Sequence, residues 1–298
     1  MSYARIAIIG ANGMLASMLR ATVSETVALH LYDLPEFDIT NATQVDTVLG
    51  DLQPDVIINC AAFTQVDNCE TQQELAFAVN GQGPANLAAV AKKIGAVLVH
   101  ISTDFVFSGD ATTPYNEEAV TNPLSVYGAS KRQGEQAIIN SGLAEYYIVR
   151  TSWLYGPNGA NFVETIIRLA TEREELGIVA DQTGTPTYTV DLSNAIWCLL
   201  DHSASLVQGS EFGIYHYSND GACTWYDFAC EIISQLRQAN VALKVKKIKP
   251  ITTDEYPVPA KRPAYSVMSK EKIVTATGLN LPPWQESLTR YLKGRLKN

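Results

Sequence analysis

The 298-residue chain carries 22 Lys+Arg against 31 Asp+Glu, a net charge of −9, with 46% hydrophobic and 18% charged residues. This is the balance of a globular protein with a sizeable core; it excludes a disordered or fibrous chain, and the net acidity excludes a general affinity for nucleic acid or anionic membranes. No apolar run reaches the ~18 residues of a membrane span, so a cytoplasmic protein is expected.

Residues 4–9 read as a buried strand that runs into Gly10-Ala11-Asn12-Gly13-Met14-Leu15-Ala16 and then a helical pattern. Glycines at such a junction permit positive φ and let a pyrophosphate reach the helix N-terminus, so Gly10, Asn12, Gly13, Met14 and Leu15 are candidate dinucleotide contacts. A second strand over 27–32 closes at Asp33, where a carboxylate can accept from an adenosine ribose, although Asp at a strand end is equally a turn residue. No Lys or Arg follows closely to hold a 2′-phosphate, which favours NADH over NADPH on local chemistry; Asp38 and Ile39 are weaker candidates beside the adenine.

Further apolar strands are expected over 56–59, 97–101 and 146–151, with amphipathic helices over 75–94 and 125–140 between them. Strands that alternate with crossover helices and lack a polar face predict an α/β fold, a doubly wound parallel sheet of the Rossmann type. The strand over 97–101 runs into Ser102-Thr103, and the helix after it carries Tyr127-Gly128-Ala129-Ser130-Lys131. Tyr127 and Lys131 are i and i+4 and share a helix face, so the ammonium is expected to lower the phenol pKa. Such a phenol can protonate a carbonyl oxygen, with Thr103 orienting that oxygen.

After Tyr155 glycines and prolines break the chain into short elements. The expected division is 1–155 as a dinucleotide-binding domain, completed by a helix and strand from about 176–201, and 156–298 as a smaller C-terminal substrate-binding part. Lys244, Lys246, Lys247 and Lys249 read as a solvated edge strand, since lysines discourage edge pairing. Five scattered cysteines and four histidines show no metal-ligand spacing, so no metal is expected.

Several motifs in this order are similar to those of the extended short-chain dehydrogenase/reductases, and within them of the dTDP-4-dehydrorhamnose reductase family. They are the 54–67 segment with Ala61-Ala62-Phe63-Thr64, then Val79-Asn80, Ser102-Thr103-Asp104-Phe105, Pro123-Leu124-Ser125-Val126-Tyr127-Gly128, Arg150-Thr151-Ser152-Trp153, Asp181-Gln182-Thr183-Gly184-Thr185-Pro186 and Arg262-Pro263. The resemblance covers nearly the whole chain. It implies reduction of dTDP-4-dehydro-L-rhamnose by NADPH or NADH, the last step of dTDP-L-rhamnose synthesis, with Thr103, Tyr127 and Lys131 as catalytic triad. It places Ala61, Ala62, Thr64 and Asn80 at the cofactor, and Thr103, Asp104, Phe105, Trp153, Asn161, Gln182 and Arg262 at the nucleotide sugar.

Phe105 stands where the family has tyrosine, and Met14 and Ala16 alter its glycine loop. Ser17 and Val190 replace acidic residues of members whose dimer magnesium bridges, so a monomer or homodimer without a metal bridge is expected. Phe105 keeps open a reductase or epimerase acting on another nucleotide sugar. A non-catalytic subunit, resembling the regulatory subunit of methionine adenosyltransferase, is a further reading, against which the intact triad argues.

Overall fold

The computed structural model describes residues 3–205 and 212–297. Five short apolar runs form parallel strands; four are buried nearly throughout, as in a sheet covered on both faces, while the run at Ala28–Tyr32 is a partly exposed edge strand. The first half comprises β1 (Arg5–Ile9), α1 (Met14–Thr22), β2 (Ala28–Tyr32), α2 (Ala42–Leu52), β3 (Val56–Asn59), α3 (Val66–Cys69), α4 (Gln73–Phe77) and α5 (Gly83–Ile94). It continues through β4 (Val97–Thr103), α6 (Val126–Asn140) and β5 (Tyr146–Thr151). The second half holds β6 (Leu154–Tyr155), α7 (Phe162–Glu172), β7 (Glu175–Val179), β8 (Thr183–Gly184), β9 (Thr187–Tyr188) and α8 (Thr189–Ser205). Then come β10 (Gly213–His216), β11 (Cys223–Thr224), α9 (Trp225–Gln238), β12 (Lys247–Ile251), α10 (Glu271–Thr277) and α11 (Trp284–Arg295).

The main sheet has the order β10-β5-β4-β3-β1-β2, with every neighbouring pair parallel. Strand order reverses beside β1, so the crevice for a ligand opens at the carboxyl ends of β1 and β3. The helix expected over 75–94 is interrupted by a wide π turn at Ala78–Gln82. That turn buries the side chain of Asn80, and π turns of this kind recur at functional sites.

The segment expected to complete the sheet does so only in part. Helix α8 packs on α1 and shares its core through Leu192, Ala195, Ile196 and Leu199. The strand near 176 instead pairs with β12 in a separate two-stranded sheet, and β10 is the sixth strand of the main sheet. The burial of β7 alternates, which suits a sheet with one wet face, whereas β3 is buried at every position. The lysine-rich stretch forms the exposed partner strand, with Lys246 paired to Glu174 at 2.9 Å and Lys249 paired to Glu175. A second core gathers Tyr155, Ile166, Leu176, Phe228, Ile232 and Leu288 from the later elements.

Candidate active site

The glycine loop leaves β1 through Gly10, whose φ is +76°. A Cβ there would stand 2.6 Å from the Ala61 backbone nitrogen, so the loop and the chain after β3 approach too closely for a side chain. Gly13 opens α1 with no side-chain cap, leaving first-turn N–H groups directed at the crevice. This uncapped cradle fits a dinucleotide pyrophosphate, with the first-turn N–H groups of Met14 and Leu15 as its donors, since the Asn12 and Gly13 N–H groups are taken by Asp33 and by Gly10 O. Leu15 is buried in the core, and its backbone carries any contact.

Asp33 braces the loop: Oδ2 accepts the Asn12 N–H at 2.7 Å and Oδ1 the Leu34 N–H at 2.8 Å. Asp38 is likewise engaged locally, accepting from Thr40 N and Oγ1, while Ile39 is a core residue against Gly83. Ala61 and Ala62 are partly buried beside the loop and Thr64 is exposed. Asn80 holds this segment rigidly. Its Oδ1 accepts Phe63 N–H at 2.8 Å, and its Nδ2 donates to Phe63 O and to Ser130 Oγ, both at 3.0 Å. One amide thus ties the loop after β3 to α6.

Thr103, Tyr127 and Lys131 converge at the carboxyl end of β4. Ser125 caps α6 by accepting Gly128 N–H at 3.2 Å, and Glu70 accepts the Val126 N–H at 2.9 Å, which fixes the turn that bears Tyr127. Phe105 lies edge-on to Tyr127 with ring centroids 5.5 Å apart. Thr103 accepts Phe105 N–H and donates to Asp104 Oδ1 at 3.1 Å. Burial raises the Tyr127 phenol, with a hydrogen bond to Thr103 pulling the other way. The expected lowering by Lys131 does not appear, because its Nζ turns to the Ile101 carbonyl at 2.6 Å. Burial pushes Lys131 down to about 8 and Asp104 up to about 6.

Beside this cluster a cavity of about 540 Å³ is lined by Asp104, Phe105, Trp153, Gln182, Trp225 and Arg262, among others. Trp153 has a φ of +47° and stacks on Trp225 at 3.5 Å and 9°. Gly184 admits it, since a Cβ there would stand 2.6 Å from the indole. Gln182 donates to Thr253 at 3.0 Å. Arg262 is held by Asp67 through Nη1 at 3.1 Å and Nη2 at 2.9 Å, and the guanidinium holds the Asp67 carboxyl below its ordinary range. Asn161 stands apart from this group: its amide caps α7 through Glu164 N–H and donates to Gly156 O and Gly159 O.

Sequence reasoning missed Trp225, Asp67, Ser130 and the glycines of α6. Trp225 follows a turn and shares no spacing with Trp153. Gly128 and Gly134 are legible in hindsight, since glycine inside a helix needs a packing reason. Cβ atoms there would stand 2.2 Å from Phe105 O and from Asn80 O respectively.

The sequence profile of the RmlD substrate binding domain matches residues 4–296. The chain is 40% identical to a spore coat polysaccharide biosynthesis protein, SpsK, of Bacillus subtilis, over 98% of both chains. It is 38% identical to a dTDP-4-dehydrorhamnose reductase of Sinorhizobium fredii, over 97% of this chain and 96% of that one. The crystal structure of dTDP-4-dehydrorhamnose reductase from Bacillus anthracis in complex with NADP superposes with a TM-score of 0.90 at 41% identity, covering 98% of this chain and 99% of that one.

Proposed function

The chain belongs to the RmlD substrate binding domain family, that of the dTDP-4-dehydrorhamnose reductases, and from that membership we propose that it reduces dTDP-4-dehydro-L-rhamnose to dTDP-L-rhamnose with NADPH or NADH. The observation that carries this reading is the convergence of Thr103, Tyr127 and Lys131 between an uncapped glycine cradle and a cavity that presents Trp153 and Arg262.

When bound, the reduced nicotinamide supplies a hydride to the carbonyl carbon of the sugar. Tyr127 gives its proton to the carbonyl oxygen as charge develops there, and its raised phenol pKa keeps that proton in place at neutral pH. Thr103 hydrogen-bonds the same oxygen and fixes its position. Lys131, still largely charged at neutral pH, stabilises the phenolate that remains. Asp104 and Phe105 border the sugar, and the indole of Trp153 packs on its apolar side. The Nε edge of Arg262 lies away from the two bonds to Asp67 and suits a diphosphate oxygen pair. The glycine cradle, Ala61, Ala62 and Thr64 hold the dinucleotide, with Asn80 bracing their loop.

We place the enzyme in the cytoplasm as a monomer or homodimer without a metal bridge; Ser17, at the position relevant to such a bridge, donates to Met14 O at 2.8 Å. The test is loss of reduced-nicotinamide absorbance with dTDP-4-dehydrorhamnose formed in situ, with NADPH and NADH in parallel. Tyr127→Phe is expected to retain cofactor binding and lose at least ~100-fold in kcat. Normal turnover by that variant refutes the assignment.

A further inference from the structure

The Lys131 ammonium group meets a second buried side chain for which the reading above has no use. Nζ lies 3.3 Å from Nε2 of His100, a residue with no exposed surface. His100 on β4 stands opposite Asn59 on β3 in the parallel register, and Asn59 Nδ2 lies 3.0 Å from His100 Nδ1. The orientation of the Asn59 amide is fixed from its other end. Oδ1 accepts the Ala61 N–H at 3.1 Å, so Nδ2 is the group that faces the ring.

These contacts fix a proton count. An imidazole that accepts at Nδ1 and is neutral carries its hydrogen on Nε2. That hydrogen points at Lys131 Nζ. An ammonium there sets donor against donor, whereas a neutral amine accepts the bond through its lone pair. The same Ala61 N–H lies in the segment against which Gly10 packs, so the glycine loop and this chain share one backbone element.

We propose that Asn59 and His100 are positioning residues that hold the imidazole as its Nε2–H tautomer, and that this N–H lowers the proton affinity of Lys131 and so sets the pH at which the ammonium beside Tyr127 is lost. The proposal rests on the assignment of Tyr127 and Lys131 as the catalytic pair. Above that pH the neutral amine accepts the His100 N–H, and below it the ammonium forms against that donor.

The other groups around Lys131 are accounted for. Glu135, one turn further along α6, and the Cys60 thiol after β3 both raise its proton affinity. Glu135 is already paired in bidentate fashion with Arg150 at 2.7 and 2.9 Å, and burial pushes Cys60 up to about 12, so neither is a free anion beside Nζ. Tyr127 lies one turn before on the same helix, with Asp104 and Cys69 acting on it. His100 itself is driven far below its ordinary value, first by burial and then by the charge of Lys131.

The test is nitrogen NMR of the full chain labelled in histidine, with the His100 signals assigned by their loss in His100→Gln. The expected result is a neutral Nε2–H tautomer of His100 at pH 7 without ligands. A Nδ1–H tautomer or an imidazolium overturns the proposal, whatever the enzyme turns over. Asn59→Asp is isosteric, still accepts Ala61 N–H and accepts from the ring at Nδ1. It is expected to switch the tautomer and move the alkaline limb of kcat/KM upward by about one pH unit or more. His100→Gln, which adds no charge, offers an amide oxygen to the ammonium and is expected to move the limb the same way. An unmoved limb in both variants overturns the proposal. A wild-type chain that binds NADPH yet reduces no dTDP-linked keto sugar counts against the reductase reading and leaves the tautomer measurement to decide this one.

Discussion

Gly128→Ala separates the position of Tyr127 from the stability of the fold. An added Cβ would stand 2.2 Å from Phe105 O and 2.9 Å from Pro123 Cβ. A carbon and a carbonyl oxygen need about 3.3 Å, so the first turn of α6 must withdraw by about 1 Å. Phe105 O belongs to backbone that Thr103 caps, and it cannot swing aside as a side-chain tip could. Alanine gains about 1 kcal/mol of helix propensity, and overpacking costs ~1–3 kcal/mol, so the net loss of stability is about 0–2 kcal/mol and the chain stays folded. Tyr127 moves with the turn and loses its alignment with Thr103. A misplacement of about 1 Å is expected to lower kcat by about 100-fold.

The assay pairs steady-state kcat with NADPH binding by fluorescence and a urea midpoint. Gly50→Ala is the control: it lies within α2, a Cβ there meets nothing within 4 Å, and it is expected to stabilise by about 0.5–1 kcal/mol with unchanged kcat. A Gly128→Ala enzyme with kcat within about twofold of wild type would refute the argument that close approach of α6 to Phe105 positions the phenol.

Arg262, His216 and Glu135 give three further expected outcomes. Arg262→Lys keeps the charge but loses the planar fork, and is expected to weaken dTDP binding about tenfold by calorimetry while NADPH affinity is unchanged. His216 is buried between Tyr115 O and Arg150, and burial drives it down to about 3. The unfolded chain therefore takes up a proton near ~6.5 that the folded chain refuses, and stability falls on acidification by up to about 1.4 kcal/mol per pH unit below that value. His216→Gln is expected to flatten the dependence of the urea midpoint between pH 6.5 and 5 by that one proton; an unchanged slope contradicts the assignment. Glu135→Gln leaves the Arg150 guanidinium buried without its anion and is expected to cost ~3–5 kcal/mol by urea unfolding.

The sheet was legible because it follows from local composition. The runs that end at Ile9, Tyr32, Asn59 and Thr151 are continuous apolar segments bounded by polar turns, and they form strands ending at those residues. The 175–179 segment misled because apolar content alone does not say which sheet a strand joins; its alternation of buried and exposed positions was the informative signal. The helix that bears Tyr127 and Lys131 was legible, and with it their i,i+4 spacing on one face. The direction of the phenol pKa was not, since a spacing reports that two groups share a face and says nothing of burial or of the Ile101 carbonyl that draws Nζ away.

The polar residues that sequence patterns assign to ligands divide here by what else competes for them. Asp33, Asn80 and Asn161 each satisfy two or more backbone groups of segments that border the crevice: Asp33 at Asn12 and Leu34, Asn80 at Phe63, Asn161 at Gly156, Gly159 and Glu164. An amide or carboxylate engaged in this way is costly to redirect, because release leaves a backbone N–H without its partner. Their effect on binding is therefore exerted through the shape of the glycine loop and of residues 61–64. Gln182 and Arg262 line the cavity instead; Arg262 spends both Nη1 hydrogens on Asp67 and Ala260 O and one of Nη2 on Asp67, which leaves its Nε–H and the second Nη2 hydrogen. Because Asp67 sits on α3, directly after residues 61–64, that ion pair ties the cavity beside Trp153 to the segment that packs on the glycine loop. The arginine that we propose takes the diphosphate thus also fixes the two halves of the proposed site relative to one another.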